Sequence, residues 1–263
     1  MLDKFLVRRN DESKSCKVLF FFSILLKFSE NLFSFQINFI SLQKEKMKYD
    51  LFESISQRSH REKDSENRRI AEIADEIRRR SSVYEAESGF GEKHVSLFEA
   101  ELRSSESYAK EYGMWIPMSE IFDLGMPGES GNENDIYTRD DTVFKVNNLL
   151  NSGSITRLLD KIIYHNSIFL ETFYYFVGFA GYEGRSVMPV LRQDLVKNAR
   201  PATQIMIDTY MAAIGFTKVN ENGRFANGEF EVWDLVPRNV LQDCDGDIYV
   251  VDAEIKKNEI TNF

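Results

Sequence analysis

The segment from Glu231 to Glu254 constrains the fold of this chain more than any other. It reads EVWDLVPRNVLQDCDGDIYVVDAE and sets Asp245 and Gly246 between two runs rich in β-branched residues. An Asp-Gly pair between such runs is the strongest short-range signal for a β-hairpin. The sequence therefore predicts two antiparallel strands here, joined by a two-residue turn at Asp245 and Gly246.

The predicted turn determines which residues of the two strands face each other. Pairing outward from Asp245 and Gly246 puts Asn239 directly opposite Asp252. Opposite residues carry their Cβ atoms about 5 Å apart on one face, so an amide oxygen and a carboxylate could hold one cation. Mg²⁺ suits such a pair, because it takes one or two protein ligands and completes its shell with water and phosphate. Asp234, five residues before Asn239, completes a pattern typical of phosphoryl transfer.

A calcium loop is the alternative for the same acids. Four of them occupy positions 1, 3, 5 and 12 of an EF-hand pattern, namely Asp243, Asp245, Asp247 and Glu254. Ile248 stands where the sharp turn of that loop needs glycine, and the flanking residues predict strands rather than helices. The pattern therefore favours a solvated turn for the three central aspartates.

The residues between 113 and 230 predict an α+β domain with antiparallel sheets. A glycine-rich stretch leads into a hairpin with strands around Ile136 and Phe144, and this hairpin ends near Lys145. Ser154 is a good N-cap for a helix whose apolar positions follow a 3.6-residue period. Two more strands and a helix over residues 202–214 follow before the final hairpin, with a polar loop rich in Asn and Gly in between.

Residues 47–112 predict a helical arm that packs on one side, and residues 1–46 differ from the rest. The apolar run VLFFFSILL is too short to cross a bilayer, which takes about 20 residues. Acids in the leader and the lack of a small-residue cleavage site argue against a signal peptide. Composition favours Met47 as the biological start and residues 1–46 as an over-extended gene prediction, with the other two interpretations as alternatives.

The charge and the Cys and His content exclude several classes of function. A net charge of -9 argues against a general partner among nucleic acids or anionic membranes. Cys16 and Cys244 lie far apart, so no disulfide framework or zinc motif is indicated and a cytoplasmic location is expected. His60, His94 and His165 lack metal-ligand spacing and are expected to be surface or core residues.

These motifs resemble those of the protein kinase superfamily. DLVPRN is similar to the catalytic loop, VDAE stands where VDFG is expected, and GNENDIYTRDDTVFKV is similar to the phosphate-loop and lysine segment of kinases and aminoglycoside-phosphotransferase-like enzymes. HNSIFLETFYYFVGF, VLRQDLV, PATQIMIDTYMAAIGF and DLVPRNVL more closely resemble the kinase-like domain of polyvalent proteins from phages and conjugative elements. The resemblance covers roughly Trp115 to Glu254.

The resemblance implies a compact bilobal fold that binds ATP with Mg²⁺. The N-lobe would span residues 113–197 and a truncated C-lobe residues 198–263, with Leu191 to Leu195 as the hinge that receives adenine. Asn239 and Asp252 would hold Mg²⁺, and Asp234 would act as the base. The residues expected to contact the nucleotide are Gly131, Asn132, Glu133, Asn134, Lys145, Leu191 and Gln193, and Lys145 and Arg238 are expected to assist transfer as cations. Gly131 is equally well explained as an ordinary turn glycine.

Several positions depart from the kinase pattern. Trp233 replaces the usual arginine before the catalytic aspartate, and Ala253-Glu254 replaces Phe-Gly after Asp252. With only nine residues after Glu254, we expect no activation segment and no helical C-terminal lobe. The acidic partner of Lys145 stays open between Asp160 and Glu171.

Three functions therefore compete. The first is a kinase-like phosphotransferase that moves the γ-phosphate to an unknown hydroxyl acceptor, on a protein or a small molecule. The second is a pseudokinase or nucleotide-binding interaction module of a mobile element. The third is a structural α+β protein whose acids keep it in solution.

Overall fold

A computed structural model describes residues 46, 59–84 and 96–258. The chain divides into a unit from Met1 to Arg61 and a compact unit from Glu62 to Phe263, and the fold below is that of the second unit. The proposed N-terminal extension apart from Lys46, and also His94, lie outside the described residues. Within the described ranges, no helix combines the length and the apolar content that crossing a bilayer requires.

Helices lie where the periodic sequence patterns predict them. The N-cap of the central helix is confirmed, because the Ser154 hydroxyl accepts a hydrogen bond from the Arg157 amide at 3.3 Å. The α-helices are α1 (helical over the described residues 59–84), α2 (Leu97–Glu111), α3 (Ile155–Ile168) and α4 (Gln204–Ala213), and Met118–Leu124 and Leu170–Thr172 form 3₁₀ helices.

A six-stranded sheet forms the first half of the domain. Its strands are β1 (Trp115–Pro117), β2 (Met126–Pro127), β3 (Asn134–Arg139), β4 (Thr142–Asn147), β5 (Tyr175–Tyr182) and β6 (Ser186–Asp194). They lie in the order β1-β5-β6-β4-β3-β2, and every pair is antiparallel except β1 with β5. The predicted hairpin around Ile136 and Phe144 is β3 and β4, which places Lys145 on an inner strand.

Two small sheets build the second half. A three-stranded sheet in the order β12-β11-β7 combines β7 (Arg200–Pro201), β11 (Val240–Gln242) and β12 (Ile248–Val250). A four-stranded sheet in the order β13-β10-β9-β8 combines β8 (Thr217–Asn220), β9 (Arg224–Ala226), β10 (Phe230–Trp233) and β13 (Glu254–Lys257). The stretch predicted as an Asn- and Gly-rich loop contains the β8-β9 hairpin, because Gly223 supplies the left-handed backbone of its turn at a φ of 66°.

Helix α1 packs one face into the hydrophobic core of the domain. Its stripe of Ile70, Ile73, Ala74 and Ile77 is buried against apolar residues of α3 and β5, including Leu158. Each such buried aliphatic side chain contributes about 1.5–3 kcal/mol relative to exposure. The core of the first half therefore depends on residues well upstream of its first strand.

Helix α2 determines where α3 begins. The carboxylate of Glu101, which is 4% exposed, accepts hydrogen bonds from the Ser154 hydroxyl at 2.8 Å, the Ile155 amide at 3.0 Å and the Thr156 hydroxyl at 2.6 Å. The first amides of a helix lack intrahelical partners, and the positive end of the helix dipole favours a carboxylate there. Glu101 therefore anchors the helix that passes behind Lys145.

We expect Glu101→Gln to lower the free energy of unfolding by about 1–3 kcal/mol, since it removes buried hydrogen bonds to a charged acceptor. Denaturant unfolding followed by circular dichroism measures the loss. The control is Glu99→Gln, at an exposed carboxylate in the capping box of α2. Equal losses in the two variants would contradict the anchoring role of Glu101.

Candidate active site

The final hairpin forms, but its register differs from the predicted one by one residue. Val240 pairs with Val250, so Asn239 lies opposite Val251 and not opposite Asp252. The turn is longer than two residues because the Asp243 carboxylate accepts hydrogen bonds from the amides of Asp245 and Asp247, both at 3.0 Å. Such side-chain capping of a turn competes with a tighter hairpin. It also engages Asp243 within the turn that the calcium interpretation would use.

Asn239 and Asp252 nevertheless meet at one cavity, of about 430 Å³. The Asn239 carbonyl accepts hydrogen bonds from the amides of both Val251, at 3.0 Å, and Asp252, at 3.3 Å, which keeps the two residues adjacent despite the shifted register. The same cavity is lined by Gly131 of the turn before β3, by Asn134 and Lys145 of the six-stranded sheet, by Gln193 and Asp194 at the end of β6, by Leu195 and Val196 just after it, and from the hairpin side by Arg238.

The free oxygen atoms at this cavity fit a magnesium ion. The amide nitrogen of Asn239 donates to the backbone carbonyl and to the carboxylate of Asp234, both at 2.8 Å, which leaves the Asn239 Oδ1 as an available acceptor. No residue in the described ranges makes a side-chain hydrogen bond or an ion pair with the half-buried Asp252 carboxylate. Two such oxygens are the number of protein ligands that Mg²⁺ commonly takes beside phosphate and water.

The side chain of Lys145 extends from β4 to the same cavity. It is 7% exposed, and its Nζ donates to the Val251 carbonyl at 2.7 Å and to the Tyr174 hydroxyl at 2.8 Å. Burial lowers the pKa of Lys145, and the nearby charge of Asp252 opposes that shift. The ammonium group thus lies beside the predicted metal-binding aspartate.

Neither acid considered as the partner of Lys145 contacts it. Asp160 forms an ion pair with Arg78 of α1, and Glu171 lines a separate groove beside α4. The charged residue of α3 nearest the site is Lys161, which borders a neighbouring pocket and whose Nζ lies 2.8 Å from a carboxylate oxygen of Glu254. On α3, a lysine and not Asp160 therefore lies among the carboxylates near Asp252.

Lys161 forms the centre of a buried charge cluster. The carboxylate of Glu133 also lies 3.8 Å from its Nζ. Burial acts to lower the pKa of Lys161, but the charges of Asp252, Glu254 and Glu133 outweigh burial and raise it. Such a cluster is stable only while each charge keeps its partners, because an uncompensated buried charge costs several kcal/mol.

Some residues of the turn before β3 line the cavity, and others lie in the protein interior. Gly131 and Asn134 line the cavity, whereas the Glu133 carboxylate is buried and accepts hydrogen bonds from Asn151 at 3.0 Å and Ser152 at 3.3 Å. Asn132, also expected to contact the nucleotide, does not line the cavity, and its carbonyl accepts a hydrogen bond from the Asn148 side chain.

Only the C-terminal part of the predicted hinge, Leu191 to Leu195, lines the cavity. The structure places Leu191 in the core cluster under α3 and not at the cavity, whose lining begins at Gln193 and continues to Val196. The Gln193 side chain itself is held by a hydrogen bond to the Thr172 carbonyl at 2.6 Å. Gln193 to Leu195 are therefore the part of the predicted hinge that borders the cavity.

Tyr174 was not identified from the sequence, yet it organises the centre of the site. Its hydroxyl donates to the Val251 carbonyl at 2.9 Å and accepts from Lys145, and burial raises its pKa well above the ordinary value. His165 packs edge-on against its ring. Burial lowers the pKa of His165 to about 3, so this histidine is a neutral core residue, as expected, whereas His60 is exposed. In the sequence, nothing distinguishes this tyrosine of an aromatic run from an ordinary residue of the hydrophobic core.

Asp234 faces a second opening. Its carboxylate accepts hydrogen bonds from Arg238 at 2.7 Å and from Asn239, and it lines a cavity of about 620 Å³ with Trp233 and Glu254. The backbone of Asp234 is left-handed, with a φ of 60°. Residues other than glycine rarely adopt this conformation, and where they do they tend to cluster at functional sites.

Gly223 supports the loop from behind. It has a φ of 66°, and the Leu235 amide donates to its carbonyl at 3.2 Å. A Cβ at this position would overlap the backbone carbonyl of Leu235, the residue next to Asp234. The β8-β9 turn and the loop that carries Asp234 are thus fitted to each other.

We expect Gly223→Ala to destabilise the fold by roughly 2–4 kcal/mol, the sum of a left-handed alanine and a backbone clash. Gly184→Ala is the matched control, since Gly184 has a φ of 65° and open space around it. It should lose only about 1 kcal/mol. Unfolding free energies measure both, and equal values would show that Leu235 can move without cost.

The chain is similar to a known protein family over much of its length. The model of the family described as "Serine/Threonine/Tyrosine Kinase found in polyvalent proteins" matches residues 99–259, more than half of the chain, and the match includes Lys145, Asp234, Asn239 and Asp252. No curated protein matches the chain. On this match and on its compact α+β kinase-like fold, the chain belongs to the family of serine/threonine/tyrosine kinases found in polyvalent proteins.

Proposed function

We propose that this kinase-like protein is an ATP- and Mg²⁺-dependent phosphotransferase. One observation carries the proposal: Lys145 of β4, Asn239 of the loop and Asp252 after β12 all line one cavity. A cation for the phosphates and two oxygen ligands for a metal are the parts that phosphoryl transfer by kinases requires. The cavity volume of about 430 Å³ lies within the range of small-molecule sites, which is about 300–1,000 Å³.

Each group has a role in this proposal. Lys145 contacts the phosphates, Gly131 and Asn134 cover them, and the linker around Leu195 receives the adenine. Asn239 and Asp252 hold Mg²⁺, which supplies charge neutralisation at the phosphates when bound. No carboxylate of α3 contributes to this arrangement.

The acceptor approaches from the second opening. The acceptor oxygen forms a bond to the γ-phosphorus as the bond from that phosphorus to the β,γ-bridging oxygen breaks and ADP leaves, and Asp234 takes the hydroxyl proton. Arg238, whose side chain is 72% exposed, holds Asp234 in place and supplies positive charge near the transferred group. The description of the family favours the hydroxyl of serine, threonine or tyrosine as acceptor.

A non-catalytic role is the second candidate. Lys145 donates to the Val251 carbonyl and to Tyr174, and no carboxylate of α3 pairs with it. This arrangement favours a nucleotide-binding interaction module of a mobile element, in which Asp234 has no chemical function. Measuring transfer separately from binding distinguishes the two.

Mg-ATP should stabilise the wild-type protein, because a ligand at 100 times its Kd adds about 2.7 kcal/mol to the free energy of unfolding. Thermal unfolding at millimolar Mg-ATP measures the effect. Lys145→Met and Asp252→Asn should lose most of it, whereas Asp245→Asn, at an exposed position in the turn of the same hairpin, should keep it. Absence of any shift in the wild-type protein would exclude the proposed ATP site.

Asp234→Asn should keep the Mg-ATP shift and lose transfer, by about 10²–10⁴-fold for a general base. Transfer is measured from γ-labelled ATP to a library of peptides that contain serine, threonine and tyrosine. Equal rates for wild type and variant would rule out the base assignment. Binding without transfer by the wild type to peptides or to small hydroxyl compounds would support the non-catalytic candidate.

A further inference from the structure

Two lysines bracket Asp252. On its N-terminal side, Lys145 donates to the Val251 carbonyl at 2.7 Å, and Tyr174 donates to the same oxygen at 2.9 Å. On its C-terminal side, Lys161 donates to the Glu254 carboxylate at 2.8 Å. The segment that carries the proposed metal ligand is therefore fastened on both sides, to β4 and to α3.

The position of Lys161 is not explained by packing alone. Its neighbour Asp160 pairs with Arg78, whereas Lys161 pairs with Glu254, two residues after Asp252. A lysine is among the residues least often buried without a partner. Here a 9% exposed lysine lies beside Glu254 and Glu133, which compensate the burial of its charge.

Glu254 connects this lysine to both ends of the loop that forms the site. It is the first residue of β13, and it pairs with Trp233 of β10, the residue before Asp234. Glu254 also follows Asp252 by two residues. The Glu254 side chain therefore joins Lys161 to the segment that carries Asp252 and to the strand that leads to Asp234.

We infer that Lys161 is a positioning residue: by holding Glu254 it keeps Asp252 aimed at the cavity in the orientation that binds Mg²⁺ with ATP. The inference rests on the proposed function. The second carboxylate near Lys161, that of Glu133, belongs to the turn that covers the cavity, so α3 contacts both the covering turn and the metal-binding segment through one side chain.

The test measures the Mg²⁺ concentration that gives half of the thermal stabilisation by ATP. We expect Lys161→Met to raise it roughly tenfold to a hundredfold, the usual effect of removing a residue that supports a metal ligand. Lys161→Arg, which keeps the charge, should stay much nearer the wild type. Lys218→Met is the matched control: Lys218 is half-buried and pairs with Asp208 and Glu221 away from the cavity, and its loss should leave the Mg²⁺ requirement unchanged.

A double-mutant cycle shows whether Lys161 acts through Glu254. Glu254→Gln should raise the Mg²⁺ requirement as Lys161→Met does, and the double variant should add little, because residues that act through one contact are not additive. If Lys161→Met does not fold, Glu254→Gln carries the test with the same expected increase.

The outcomes separate this inference from the proposed function. A wild type that responds to Mg-ATP together with an unchanged Mg²⁺ requirement in Lys161→Met or Glu254→Gln overturns the inference and leaves the proposed function standing. Fully additive effects in the double variant also overturn it, since Lys161 would then act independently of Glu254. A wild type without any response to Mg-ATP removes the proposed function and the inference with it.

Discussion

The pairing of β10 with β13 is the constraint on which the site depends. Trp233 and Glu254 are partners in this ladder, so residues 234–253 form a closed loop with both ends in one sheet. Asp234, Asn239 and Asp252 all lie within that loop. Closing a loop of this length has an entropic cost that grows only slowly with length, and the strand hydrogen bonds offset it on folding. The fold itself consequently brings the proposed metal-binding residues and the proposed base close together.

More carboxylates than lysines lie near the proposed site. Glu133, Asp252 and Glu254 surround Lys145 and Lys161, so three buried or half-buried carboxylates face two lysines. A triphosphate would add negative charge to a cluster that already carries an excess of it. In a medium of low effective dielectric constant such repulsion is strong. A divalent cation at Asp252, as proposed above, would reduce this repulsion.

Local signals in the sequence predicted the elements that local interactions stabilise. Helix α3 follows from the Ser154 cap and an apolar stripe, and the final hairpin follows from Asp245-Gly246. The register of that hairpin was wrong by one residue, because the Asp243 side chain caps a longer turn. Strand β13 was missed because its four residues become a strand only by pairing with β10.

The composition of the site was only partly predictable for a related reason. Lys145, Asn239 and Asp252 each stand in a short sequence motif and could be proposed before the fold was known. The cluster around Lys161 brings together α3, the turn before β3 and the start of β13, which no spacing along the chain connects. Tyr174 is likewise defined by what it reaches across 77 residues, at the Val251 carbonyl.

Helix α1 packs in the core of the compact unit but lies outside the range that the family model matches. Similarity to the kinase family begins at residue 99, whereas the compact unit begins at Glu62. A fragment cut at the limit of similarity would leave the apolar face of α3 open to water where Ile73 and Ile77 now cover it. Such a face favours association between copies and loss of solubility. The range matched by the family model is thus shorter than the compact unit.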